Sequence, residues 1–270
     1  MPRHRLALLV AGLVLIASVA AAQFRGRFGA PTRLVTPDAF NGAFLFCRIS
    51  FRNQPAGDGA GWSVDYPRAD LNLSFRLSEL TKTPISRSAS GEINHVVIRL
   101  TDPELTQCPF VMMTEPGGAY FDAAEAAALH DYLVKGGFLW VDDFWGTRAW
   151  QTWSGEIAKA MPSGEYPIVD IPLSHELFHG LYDIHEIPQI PSINSWMFLG
   201  GGTSERGADS AVPHVRAITD DRGRILVLMT FNTDFGDAFE REGDNHEYFL
   251  RFAPPGYAFG VNSLIYAMTH

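Results

Sequence analysis

The sequence predicts an α/β protein built on a parallel sheet with helices on both faces. Three observations predict it. Short apolar runs of strand length recur along the first two thirds of the chain. Helical patterns separate them. The runs are apolar throughout rather than alternating, as in strands buried on both faces. Residues 43–50 open the series. Residues 68–82 follow as a helix, with Leu73, Leu77 and Leu80 at i, i+4 and i+7. Residues 95–100 and 110–113 read as the second and third strands. Asp122 is placed to cap a helix running to Lys135, with Glu125 three residues on as in a capping box, and Gly136-Gly137 ends it. Residues 138–141 form a fourth strand, stopped by Asp142-Asp143. Residues 147–160 read as helix and 166–171 as another short strand.

Past residue 180 the alternation breaks. Residues 187–202 read as loop, with Pro188, Pro191 and three glycines. Residues 214–219 and 224–229 flank Asp220-Asp221-Arg222-Gly223, the pattern of a β-hairpin, expected here as a C-terminal elaboration. Residues 257–269 close the chain as a helix. There is no internal repeat.

The first 22 residues read as a signal peptide. Arg3, His4 and Arg5 precede an apolar run, and Ala20-Ala21-Ala22 before Gln23 fits a small-residue cleavage site. The expected organisation is therefore a signal peptide at 1–22, a lead-in at 23–39 and a single domain at 40–270, periplasmic or secreted. No later segment is long and apolar enough to span a membrane. Removing Arg3 and Arg5 leaves 19 basic against 30 acidic residues, a mature formal charge of −11. Such a chain repels phosphate backbones, and no basic stripe offsets this, so nucleic acid is excluded as a partner. Cys47 and Cys108 both lie in apolar, strand-like surroundings. They pair if the compartment is oxidising and the fold brings them together; spacing alone leaves a disulfide and two buried thiols both open.

One stretch carries a known signature. His175-Glu176-Leu177-Phe178-His179 matches H-E-x-x-H, in which two histidines on one helix face chelate zinc and the glutamate polarises a bound water. His185 stands at the spacing of a third ligand. The context argues for a turn instead. Tyr182 stands where that class needs glycine, a strand-like run ending at Pro172 leads in, and Gly180 stops any helix after little more than one turn. A surface turn capped by Ser174, with Leu177 and Phe178 packed inward, is the favoured reading. A zinc site at His175, His179 and His185 is kept as the lesser one.

Ligands of open α/β sheets bind beyond the carboxyl ends of the strands. Four polar segments have that address. They contribute Trp62, Asp65, Tyr66 and Asp70; Glu115; Asp142 and Asp143; and Asn232, Asp234 and Asp237. Converging carboxylates need protons, cations or donors to coexist. They suit acid–base groups, a hard-cation site or acceptors for sugar hydroxyls. The competing role is capping, and Asp142, Asp143 and Asp237 all sit where caps are expected. Trp140, Trp145, Trp150 and Trp153 crowd the same region, where core packing is the better account of them than sugar stacking.

Taken together these segments resemble a known family. The segments are Gly61-Trp62 with Asp65-Tyr66-Pro67 and Asp70, Leu77-Ser78-Glu79-Leu80-Thr81, Gly136-Gly137-Phe138 with Asp142-Asp143-Phe144, Asn232-Thr233-Asp234 with Gly236-Asp237, and Asn262 with Tyr266-Ala267. They look like an uncharacterised bacterial domain of unknown function placed among class I glutamine amidotransferase-like folds. The resemblance runs from about Phe40 to His270. It implies a flavodoxin-like sheet, and little about activity. An amidotransferase carries a nucleophilic cysteine at a tight strand-to-helix turn. Here the turn after the third strand reads Thr114-Glu115-Pro116-Gly117-Gly118, without one. The resulting expectation is a non-catalytic envelope domain. It would bind a small polar ligand, a glycan or an envelope protein, with no cofactor. A carboxylate-dependent glycan hydrolase and a zinc peptidase are the alternatives.

Overall fold

The computed structural model describes residues 32–36 and 39–270. The expected signal peptide lies outside the described residues, as do residues 23–31 of the lead-in. The strands are β1 (Phe46–Ile49), β2 (Arg52–Asn53), β3 (His95–Ile98), β4 (Phe110–Thr114), β5 (Ala119–Tyr120), β6 (Phe138–Phe144), β7 (Val169–Asp170), β8 (His214–Thr219) and β9 (Ile225–Phe231). The α-helices are α1 (Arg68–Thr81), α2 (Ala123–Val134), α3 (Gly146–Ala160), α4 (Ile193–Phe198), α5 (Phe235–Glu240) and α6 (His246–Thr269).

Seven strands form one sheet in the order β3-β1-β4-β6-β9-β8-β7, and β2 pairs with β5 apart from it. From β3 to β9 every pairing is parallel. β8 runs antiparallel to β9, and β7 antiparallel to β8. Numbered along the chain, the five parallel strands lie in the order 2-1-3-4-5. The reversal falls between β1 and β4.

Alternation along the buried strands divides the core into two layers. Cys47, Ile49, Val111, Met113, Leu139, Val141, Val227 and Met229 pack against α2 and α3 through Leu129, Leu133, Trp153 and Ile157. Phe46, Phe110, Met112, Phe138, Trp140 and Leu228 pack on the other face against α1, α5 and α6. Local chemistry sets the helix ends where the sequence was explicit. Asp122 and Glu125 close a capping box at α2. Lys82 ends α1 in the left-handed conformation. Gly137 lies against the Tyr132 ring so closely that a Cβ there would overlap it. The Tyr132 hydroxyl in turn donates to the carbonyl of Cys108 at 2.8 Å.

Four expectations change. The hairpin is not an elaboration: β9 is a parallel strand of the main sheet, and the elaboration is the antiparallel edge β8-β7. The segment read as strand at 166–171 pairs only over Val169–Asp170. The last helix begins at His246, capped by Asn245, and runs through Pro254 and Pro255. Prolines inside a helix cost it hydrogen bonds. Burial of Tyr248, Phe252, Tyr257 and Phe259 outweighs that loss. Residues 187–202, read as loop, contain the short helix α4.

Cys47 and Cys108 form a disulfide across a sequence separation of 61 residues. Closing a loop of that length stabilises the fold by about 4 kcal/mol on the chain-entropy account. No helix of the described residues is long and apolar enough to cross a membrane.

Candidate functional site

The sheet delivers the polar segments to one end. β1, β4, β6 and β9 are neighbours, and an acidic or amide residue in an unusual backbone conformation lies within or beyond the carboxyl end of each. Asp65 (φ 63°) lies in the loop between β2 and α1. Glu115 (φ 52°) directly follows β4, Asp143 (φ 58°) lies near the end of β6, and Asn232 (φ 60°) directly follows β9. Lys82 is the other non-glycine residue with positive φ among the described residues. The pairing of β6 with β9 shifts register between Val141 and Phe144. Such an irregularity re-aims side chains that a regular ladder would alternate across the sheet, and Asp142 and Asp143 sit inside it.

Five aspartates of these segments converge. Asp65, Asp142, Asp143, Asp234 and Asp237 are all buried. One carboxylate oxygen from each of Asp65, Asp234 and Asp237 lies within 4.8 Å of the others. Burial raises all five carboxyls above the ordinary aspartate range. The charges of Asp237 and Glu240 push Asp65 further up, and those of Asp143, Asp237, Asp65 and Asp142 do the same to Asp234. Asp142 is raised to about 7. Its oxygens are answered by the Thr230 hydroxyl and by the Gly236 N–H at 2.8 Å. The Thr230 hydroxyl is itself fixed by the Trp140 indole N–H at 2.8 Å. Asp143 accepts from the Trp145 indole at 2.8 Å. Asp237 accepts from the Ile193 N–H at 2.5 Å and faces Arg241 Nε at 3.5 Å.

Asp65 is different. Its Oδ2 is sealed from solvent and has no hydrogen-bond partner. It lies over Gly236, where a Cβ would overlap it. Only glycine lets the start of α5 approach that carboxylate.

The other predicted site residues have structural partners. Asp70 forms a two-oxygen ion pair with Arg48, and both side chains are fully buried. The remaining donors of Arg48 reach the carbonyl of Val64 at 3.1 Å and the Thr114 hydroxyl at 2.6 Å. The Tyr66 hydroxyl bonds the Arg33 N–H at 2.9 Å and faces His95 Nε2 at 3.1 Å. Trp62 is half-buried, its ring 5.8 Å from that of Tyr66. Glu115 accepts from the N–H groups of Ala60 and Gly61, tying the glycine-rich loop to the turn after β4. Asn232 accepts from the Gly146 N–H at 2.9 Å and donates to the Val212 carbonyl at 2.8 Å.

Capping falls on other aspartates than those expected. Asp234, not Asp237, caps α5, accepting from the Asp237 N–H at 2.7 Å. Neither Asp142 nor Asp143 caps α3. Asp209, from a distant loop, accepts from the Thr147 N–H at 2.8 Å.

The H-E-x-x-H stretch is a single 3-10 turn over Glu176–His179, with His175 rather than Ser174 as its cap. His175 Nδ1 accepts from the Leu177 N–H at 3.1 Å. His179 Nε2 lies 2.8 Å from the Leu173 carbonyl and Nδ1 3.1 Å from Asp183. Leu177 and Phe178 are buried. Asn262 of α6 holds the segment, accepting from the N–H groups of Leu181 and Tyr182 and donating to the carbonyls of Leu177 and Tyr182. The tryptophans also pack as core: Trp140, Trp145 and Trp153 are buried, and Trp150 stacks on Phe144.

The sequence placed Gly236 and Glu240 in a strand-end segment without a role for either, and placed neither Arg48 nor Arg241 at the site. Arg48 was legible in principle, since a charge inside an apolar strand demands a buried partner. Gly236 was not, because its constraint comes from a side chain 171 positions earlier in the chain.

Residues 48–268 match the family DUF4159, a domain of unknown function, and the chain belongs to that family. No curated protein matches the sequence.

Proposed function

We propose that this DUF4159 member is an exported binding domain of the cell envelope, with a flavodoxin-like, amidotransferase-like fold that holds a small polar ligand at its strand ends. The observation that carries this reading is the run of left-handed, non-glycine polar residues at neighbouring strand ends: Asp65, Glu115, Asp143 and Asn232. Each such conformation costs about 1–3 kcal/mol and persists where the surroundings enforce it, chiefly at functional sites. The 2-1-3-4-5 order supports the flavodoxin-like reading, in which ligands sit at the carboxyl ends beside the reversal of strand order. Two features speak against glutamine hydrolysis. Glu115 occupies the turn after β4 where a nucleophilic cysteine would stand, and the only two cysteines of the chain are bonded to each other. The disulfide also supports an oxidising compartment, in keeping with the basic-then-apolar start of the sequence.

A small ligand is favoured over a polymer. Asp65, Asp142 and Asp234 are at most 1% exposed, out of reach of a polysaccharide chain. The test is a thermal-shift titration of the mature chain with monosaccharides, disaccharides, muropeptides and amino acids in chelator-containing buffer. One class should raise the melting temperature, and Asp143→Asn should abolish the rise while keeping the wild-type circular dichroism spectrum. A flat response to every class, or a shift that Asp143→Asn retains, sinks the reading.

A further inference from the structure

The strand-end cluster admits a narrower assignment, which rests on the reading of that cluster as the functional centre. We propose that Asp65, Asp234 and Asp237 bind one hard divalent cation of the magnesium, manganese or calcium class.

Geometry carries the assignment. Three points no more than 4.8 Å apart fit within a circle of radius 4.8/√3, about 2.8 Å, so one centre lies within about 2.8 Å of an oxygen from all three carboxylates. Calcium–oxygen contacts run at about 2.3–2.6 Å and magnesium–oxygen contacts at about 2.0–2.1 Å, so a small inward movement of the side chains completes the contact. The second observation is the Asp65 carboxylate. It is 1% exposed, its Oδ2 has no hydrogen-bond partner, and that residue supplies one corner of the triangle. Buried polar oxygens without partners are rare and costly, and a cation is the partner that a carboxylate oxygen accepts without a donor hydrogen.

The charge balance points the same way. Asp65, Asp142, Asp143, Asp234, Asp237 and Glu240 are buried. Of the nearby cations, Arg48 is committed to Asp70, and Arg241 lies 2.8 Å from Glu240 and 3.5 Å from Asp237. A divalent ion offsets the remaining negative charge at the cluster's own centre. The donor set is oxygen only, which selects hard cations over zinc or copper. Gly236 belongs to the site as its floor, because any side chain there would displace Asp65.

The experiment uses the mature chain without a His-tag, stripped with chelator and titrated separately with magnesium, manganese and calcium by calorimetry, with elemental analysis after dialysis. One of the three should bind at about one equivalent per chain and raise the melting temperature. Asp65→Asn and Asp234→Asn should each weaken binding at least about 100-fold. Should either variant fail to fold, manganese paramagnetic resonance on the wild type supplies the test without mutation: the bound ion should show a spectrum distinct from aqueous manganese. Absence of binding by the folded wild type at millimolar concentration of all three cations overturns the assignment, as does unchanged affinity in a folded Asp234→Asn. The failure modes separate. An Asp143-dependent organic ligand without cation binding removes this assignment and leaves the binding-domain reading standing. Cation binding without any organic ligand does the reverse.

Discussion

Arg48 and Asp65 are both buried charges at the carboxyl end of the sheet, and their surroundings treat them in opposite ways. The Arg48 guanidinium is met by both oxygens of Asp70, by the Thr114 hydroxyl and by the Val64 carbonyl. The Asp65 carboxylate is met by other carboxylates and keeps an oxygen with no hydrogen-bond partner. A buried ion pair with its hydrogen bonds filled is how a fold holds a charge for its own structure. A buried cluster of like charges costs stability, and burial raises its carboxyls accordingly. The first arrangement locks β1 to α1; the second is the one the proposed cation would offset.

The comparison breaks most visibly under isosteric removal of one charge. Asp70→Asn leaves Arg48 uncompensated in the core and should cost about 3–5 kcal/mol in a denaturant melt. In cation-free buffer Asp234→Asn removes a repelled charge and should melt no lower than wild type. If Asp234→Asn proves the more damaging of the two, the cluster is structural and the contrast fails. Gly236→Ala comes next. Its Cβ overlaps Asp65, so the fold must shift at a cost of about 1–3 kcal/mol. Cation affinity should fall with stability, whereas unchanged affinity would move the site away from Gly236.

A smaller effect concerns Asp142, which burial raises to about 7 from 3.8 against the opposing bonds of Thr230 and Gly236. The folded chain then holds a proton that the unfolded chain has released between those values. The stabilisation is complete below pH 3.8 and is lost as pH rises past 7. Asp65, Asp143 and Asp234 act in the same direction. His95, lowered by burial, opposes them only as pH falls below 6.5. Between pH 6.5 and 7.5, without cations, stability should therefore fall by less than about 1 kcal/mol for Asp142 alone. Carbon-13 carboxyl titration should find an aspartate with a midpoint near 7 that Thr230→Val moves upward. A midpoint near 4 would mean that the site is wetter than its burial implies. The smallest effect belongs to His179. It is partly exposed and bonded to a carbonyl and to exposed Asp183, so His179→Ala should cost no more than about 1 kcal/mol. It should leave the cation content unchanged, and loss of a bound metal in that variant would return the H-E-x-x-H stretch to chemistry.

Much of the fold was legible because its signals are local. The capping box of Asp122 and Glu125 lies within four residues, and Leu73 and Leu77 of α1 announce their buried face by spacing alone, whereas Leu80, read onto the same face, is exposed. The buried strands β1, β3, β4 and β6 read as apolar runs because both sheet faces are covered. What was misread depended on distant partners. The hairpin strand β9 gives no sign within its own residues that β6 lies beside it. The helix around Pro254 and Pro255 survives because its aromatic residues are buried. The site divides the same way. That the strand-end segments were polar could be read directly. That Asp65, Asp234 and Asp237 share a centre while Asp70 turns away to Arg48 could not.

The amino-acid sequence alone carried the alternation of strand and helix, the acidic balance, the lack of a nucleophilic cysteine after β4 and the four polar segments. Each of these depends on residue type or on neighbours a few positions apart. The tertiary structure decided which strands are adjacent, that Cys47 bonds Cys108, and that a motif resembling a zinc helix is a turn pinned by Asn262. It also decided which carboxylates are paid for by an arginine and which are left facing one another. Those outcomes rest on contacts that reach from Arg48–Asp70, 22 positions apart, to Asp65–Asp237, more than 170 apart, where a charge's partner is set by how the sheet closes and not by what lies beside it in the chain.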